Sequence, residues 1–316
     1  MTGKLRIALI GASGQLGQEL RRSLRAAGHH VLIPERVRYD LAVAGTLAAT
    51  LREMAPQLVV NAAAYTAVDR AEDEPERAHA INAQAAGEMA TIAAQLEAPI
   101  VQISPDYVFD GAKGSPYTED DPPKPLGVYG ASKLAGEYEV AAANPRHIIL
   151  RTAWVFSPHA RNFVKTILRL AAERPALKVV ADQMGCPTST ADLADAITDI
   201  VARCVEAEAG SPLFGTFHAV NAGSATWCDF ARAIMDGAAR RGAPHVSVEA
   251  IPSSGYPTRA RRPADTRLAT AKLAAVHGLE LPSWIDALET TLDALLGPRA
   301  NAVSTPGACD RARLAG

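Results

Sequence analysis

"RIALIGASGQLGQEL", Arg6 to Leu20, passes from an apolar run through a glycine-spaced turn into a helical pattern. Gly11, Gly14 and Gly17 form GxxGxxG at the junction. Glycines also serve ordinary turns, so the spacing alone says little. Set after a strand and before a helix, it predicts a tight turn whose backbone amides at the helix N-terminus can hold a pyrophosphate. The apolar run is too short to span a membrane, and it leads into this turn rather than a cleavage site.

The same alternation continues downstream. "HHVLIP", "QLVVNAAA", "PIVQIS" and "HIILRT" read as further strands, with helical patterns between them such as Gln15 to Ala27 and Pro75 to Gln95. Strands alternating with helices predict an α/β fold, a doubly wound parallel sheet covered on both faces. Ligands of such sheets bind beyond the carboxyl ends of the strands, where "GASGQLG", "NAAAYTAVD" and "SPDYVFDG" fall. We therefore expect residues 1–155 to form a dinucleotide-binding Rossmann domain. Residues 156–297 are expected to form a smaller C-terminal substrate-binding lobe that returns some segments to the sheet. Residues 298–316, small and polar without apolar period, read as a flexible tail.

Composition narrows the function. The 316 residues are 48% hydrophobic and carry 32 basic against 34 acidic side chains, so a soluble globular chain is expected, with neither nucleic acid nor a membrane as partner. Cys186, Cys204, Cys228 and Cys309 show no CxxC spacing, and the eight histidines form no ligand pair. A cytoplasmic, metal-free protein is the expectation. The acidic stretch "DRAEDEPE" reads as a solvated helix start.

"IPERVRYD" closes the second strand with opposing cues. Glu35 can accept from a ribose 2′-hydroxyl, whereas Arg36 or Arg38 can pair with a 2′-phosphate, so NADPH and NADH both remain open. A solvated charged loop is the bland alternative.

"VYGASKLAGE" carries the chemistry. Tyr129 and Lys133 are four apart on an evident helix, so both project from one face. An ammonium at about 4 Å, with an effective dielectric of about 20, would favour the phenolate by about 4 kcal/mol, or about three pK units before desolvation. Tyr129 is thus expected to act as an acid near neutral pH while hydride arrives.

On these strings, together with "VVNAAAYTAVDRAEDEPERAHAINA", "DYVFDG", "LRTAWVF", "NFVKTILRLA", "DQMGCPT" and "RRPADTRL", the chain resembles the extended short-chain dehydrogenase/reductases. Within them it is similar to the dTDP-4-dehydrorhamnose reductase family through about Leu296. The resemblance implies an NAD(P)H-dependent oxidoreductase that reduces a dTDP-linked 4-keto sugar, and it allows a homodimer. It implies a catalytic pair of Tyr129 and Lys133, the lysine also holding the nicotinamide ribose. It implies a cofactor lining of Gly11, Gly14, Gln15, Leu16, Asp40, Ala62, Ala63, Ala64 and Tyr65. Tyr107, Trp154 and Asn162 would surround the sugar nucleotide, although an aromatic at the position of Trp154 could equally be core.

One position departs from the family pattern. The reductases carry a catalytic threonine in a Ser-Thr-Asp-Tyr-Val-Phe string, and this chain has Pro105 there. Proline brings neither a side-chain donor nor an N–H, and losing a preorganised donor costs about 3 kcal/mol, or about a hundredfold in rate. Ser104 turning inward, or a water, would rescue the site. Two other readings follow: an epimerase or dehydratase that recycles its cofactor, and an NADP-binding regulatory subunit like that of methionine adenosyltransferase. Dehydratases place an acid pair after the hydroxyl residue, whereas Tyr107 follows Asp106 here.

Overall fold

A computed structural model describes residues 3–299. The expected tail, apart from its first two residues, and Cys309 lie outside the described residues. In chain order the first half consists of β1 (Arg6–Ile10), α1 (Gln15–Ala26), β2 (His30–Leu32), β3 (Leu58–Asn61), α2 (Ala85–Gln95), β4 (Ile100–Pro105), α3 (Val128–Ala143) and β5 (His147–Thr152). The second half supplies α4 (Phe163–Glu173), β6 (Ala176–Val180), α5 (Thr190–Cys204), β7 (Gly215–His218), α6 (Trp227–Ala239), β8 (Ser247–Ile251) and α7 (Trp284–Leu296). Shorter helices and two-residue strands connect them.

Six strands form one parallel sheet in the order β7-β5-β4-β3-β1-β2. Strand side chains alternate between faces. Ile7, Leu9, Leu58, Val60, Val101, Ile148 and Leu150 meet Leu16 and Leu20 of α1 and Leu193 and Ile197 of α5. Their neighbours Ala8, Ile10, Val59, Ile100 and Ile149 meet Ala86, Met89 and Ala90 of α2 and Val140 of α3. Being apolar on both faces is what makes these strands central.

A second core joins α4, α6 and α7 to the parallel pair β6 and β8. Residues 190–218 belong with the first core: α5 packs against α1, and β7 extends the sheet beyond β5. No helix among the described residues is long and apolar enough to cross a membrane.

Candidate active site

Two glycines give the first turn its shape. Gly11 has φ +84°, and a Cβ there would fall 2.6 Å from the Ala63 nitrogen. A Cβ on Gly17 would stand 2.1 Å from the Gly11 carbonyl oxygen. The turn is thus pressed against the Ala62–Ala64 loop, and only glycine fits. That loop is itself held from within the sheet: the Asn61 amide accepts from the Ala63 N–H at 3.1 Å and donates to Gln102 at 2.7 Å. The first turn of α1 carries no acidic residue, which leaves its positive end open to an anion.

A cavity of about 960 Å³ opens beyond the carboxyl ends of the strands. Its wall brings together Gly11, Gly14, Gln15, Leu16, Asp40, Ala62, Ala63 and Ala64 with Ser104, Tyr107, Tyr129, Lys133 and Trp154. Glu35 is also on the wall, whereas Arg38 is turned to Glu53 at 2.6 Å. The side chain of Arg36 lies outside what the structure describes.

Three expected residues are placed differently. Tyr65 does not line the cavity: its hydroxyl donates to Glu74 at 2.9 Å, and its backbone N–H donates to Asn82 at 2.8 Å. Asn162 does not line it either. Its amide donates to Gln15 and to the carbonyls of Ser157 and His159 and accepts from the Lys165 N–H, so it caps α4 and ties that helix to α1. Both polar atoms of that side chain are thus engaged within the protein.

The third is Ser104. It stands at the cavity, but its hydroxyl donates to Glu137 at 2.5 Å, and Glu137 also takes the Arg151 guanidinium. Adjacent strand residues point to opposite faces, so a hydroxyl one residue before Pro105 lies on the α3 side of the sheet. The expected rescue by Ser104 needs a free hydroxyl, and this one is committed to Glu137.

The electrostatics of the pair also differ from expectation. Lys133 donates from Nζ to the Ile103 carbonyl at 2.7 Å. Burial lowers its pKa to about 8, against an opposing pull from Glu137. Burial, reinforced by the Asp106 charge and by Tyr107, pushes the Tyr129 phenol well above its ordinary range. The free site therefore holds Tyr129 protonated, rather than assisting its ionisation. Asp106 is buried and accepts from Thr266 at 2.5 Å, and burial raises its pKa to about 7 despite that hydrogen bond. The ring of Tyr107 meets that of Tyr129 edge-on at 5.7 Å.

Sequence reasoning missed Arg77, Thr152, Arg161, Trp227 and Arg262, all on the cavity wall. Trp227 stacks on Trp154 at 3.5 Å with the planes 7° apart, and Trp154 has φ +44°. Arg262 falls within the string "RRPADTRL", which could have flagged it, and it reaches Asp69 at 3.1 Å. Arg77 and Thr152 likewise fall within "VVNAAAYTAVDRAEDEPERAHAINA" and "LRTAWVF", whereas Arg161 and Trp227 lie outside every quoted string.

A parallel sheet, a glycine turn at a helix start and a helical Tyr-Lys pair opening on one cavity define an extended short-chain dehydrogenase/reductase. The family model described as "RmlD substrate binding domain" matches residues 5–296. The chain is 43% identical over 292 residues to a dTDP-4-dehydrorhamnose reductase of Sinorhizobium fredii, covering 92% of this chain and 98% of that one. Against the Burkholderia thailandensis reductase it is 42% identical, covering 89% and 95%. The crystal structure of the Bacillus anthracis reductase in complex with NADP superposes with a TM-score of 0.85 at 34% identity, covering 92% of this chain and 100% of that one. This chain belongs to the dTDP-4-dehydrorhamnose reductase family. A Thermus thermophilus UDP-glucose 4-epimerase in complex with NAD shares the fold, with a TM-score of 0.76 at 20% identity.

Proposed function

We propose that the chain reduces the C4 keto group of dTDP-4-dehydro-L-rhamnose to give dTDP-L-rhamnose, with NADPH or NADH as reductant. The observation that carries the reading is one cavity holding both the Gly11–Leu16 turn and the Tyr129–Lys133 pair, in a member of this family. The residues present fit the cofactor: glycines admit close backbone approach, and no carboxylate sits in the first turn of α1 to repel a pyrophosphate.

A bound dihydronicotinamide supplies the hydride. The chain's own residues supply position and a proton. Tyr129, kept protonated by its surroundings, gives its phenolic proton to the alkoxide that forms on the sugar oxygen, a far stronger base. Lys133, charged below about pH 8, offers its remaining N–H donors to the cofactor ribose and steadies the tyrosinate left behind. Arg161 and Arg262 bring positive charge to the wall that a diphosphate would face. The non-catalytic reading as a regulatory subunit is not favoured, because the proton donor and its lysine are both in place.

Among the described residues three free cysteines are buried, which suits a reducing compartment, and we place the protein in the cytoplasm. The test is absorbance-monitored oxidation of NADPH or NADH with the keto sugar nucleotide. Stoichiometric consumption supports a reductase; product formed without net oxidation would indicate an epimerase or dehydratase and overturn the reading.

A further inference from the structure

Pro105 and Thr152 are direct partners in the parallel register of β4 and β5, at the last position of each strand. In-register residues of parallel strands project to the same face. Ser104 and Arg151, one step earlier, both reach Glu137 on the α3 face. The side chains of Pro105 and Thr152 therefore share the opposite face, and both line the cavity with Tyr129 and Lys133.

Thr152 is 6% exposed, and its Oγ1 is buried with no hydrogen-bond partner among the described residues. A buried hydroxyl without a partner is costly, and such groups mark places where a ligand completes the bonding. Two nearby hydroxyls are already committed: Ser104 donates to Glu137 and Thr266 to Asp106.

We propose that the Thr152 hydroxyl hydrogen-bonds the reacting carbonyl oxygen and does the work of the side chain absent at Pro105. The inference rests on the reductase reading above. In the step it assists, the carbonyl carbon gains a hydride and the C=O π electrons move to oxygen. The Tyr129 proton then completes the alcohol; the keto sugar is reduced and the dihydronicotinamide is oxidised. Thr152 is a donor throughout and keeps its proton, so its contribution is to orient the carbonyl and stabilise the charge that develops on oxygen.

The test compares the full-length native protein with Thr152→Val, Thr152→Ser, Pro105→Thr and the Thr152→Val/Pro105→Thr double variant. It uses dTDP-4-dehydro-L-rhamnose and NADPH, with NADPH affinity measured by fluorescence and folding by thermal unfolding. Expected are a fall in kcat of about a hundredfold for Thr152→Val, with NADPH affinity and unfolding temperature retained, and near-native turnover for Thr152→Ser. Pro105→Thr in the valine background should recover at least about tenfold of the rate. A Thr152→Val variant within about threefold of native kcat, far short of the loss a removed donor brings, overturns the proposal. So does a loss of rate matched by a loss of NADPH affinity. A silent native chain beside an active Pro105→Thr variant overturns the proposal and the reductase reading of the native chain together, and brings the regulatory-subunit reading forward. Silence in every variant that still binds NADPH overturns the reductase reading and the proposal with it.

Discussion

Arg151 lays its guanidinium along the Glu137 carboxylate, with Nη2 to Oε2 at 2.6 Å and Nε to Oε1 at 3.0 Å, both side chains almost wholly buried. Such a pair is weak evidence of net stabilisation, but breaking it leaves a buried charge without a counter-charge. Glu137→Gln should therefore lower unfolding stability by about 3–5 kcal/mol, read from the urea midpoint. A loss below about 1 kcal/mol, the scale of an exposed pair, would mean that water reaches Arg151.

Tyr129→Phe keeps the ring and removes the proton. Turnover should fall by about a thousandfold, within the range for losing a general acid, while NADPH affinity stays near native. Near-normal kcat in this variant would sink the mechanism.

Lys133 gives the pH dependence its sign. Burial holds its pKa near 8, so the ammonium is lost as pH rises through about 8. The free-enzyme profile of kcat/KM should turn down on its alkaline side there. Lys133→Arg, whatever its absolute rate, should shift that limb upward, because a guanidinium stays charged. For stability the sign is reversed. The unfolded chain keeps this proton to about pH 10.5 and the folded chain only to about 8, so this group's contribution strengthens the fold as pH rises through that window.

For cofactor choice the expectation falls on Glu35, which is on the wall while Arg38 pairs with Glu53. A carboxylate accepts from a ribose 2′-hydroxyl and repels a 2′-phosphate. Glu35→Ser should raise the ratio of kcat/KM for NADPH over NADH by about tenfold, the scale of a surface charge contact. An unchanged ratio would place discrimination elsewhere.

The Trp154–Trp227 stack predicts a change in binding rather than chemistry. Trp227→Ala removes the ring that holds Trp154 in place, and KM for the sugar nucleotide should rise by about tenfold, the upper range for an aromatic pair. Values of kcat should stay close to native. An unchanged KM would assign both rings to the core.

The sequence made part of this site readable for local reasons. A GxxGxxG turn, an alanine loop and a Tyr-x-x-x-Lys helix each carry their meaning within a few residues, and the structure gathers all three at one cavity. Asn162 could be read only in part: its cap on α4 is local, but its tie to α1 runs through Gln15, 147 residues away. Thr152 was silent for a similar reason: its place beside Pro105 is a matter of strand register, which no spacing within the string reveals. Ser104 misled because counting along the chain measures proximity, whereas the pleat decides direction. The raised pKa of Tyr129 likewise reflects burial by neighbouring segments, which no spacing along the helix reveals.

The place of β7 bears on how the molecule is made. Its four residues, Gly215–His218, add to the sheet beside β5, which ended at Thr152. During synthesis the chain emerges N-terminus first. When residue 152 leaves the ribosome, every side chain of the reacting pair already exists, but the strand that bears Thr152 still has a bare edge. More than sixty further residues must follow before that edge is covered. The nascent chain thus waits with an unpaired strand, open to wrong partners, and the window closes only when His218 arrives.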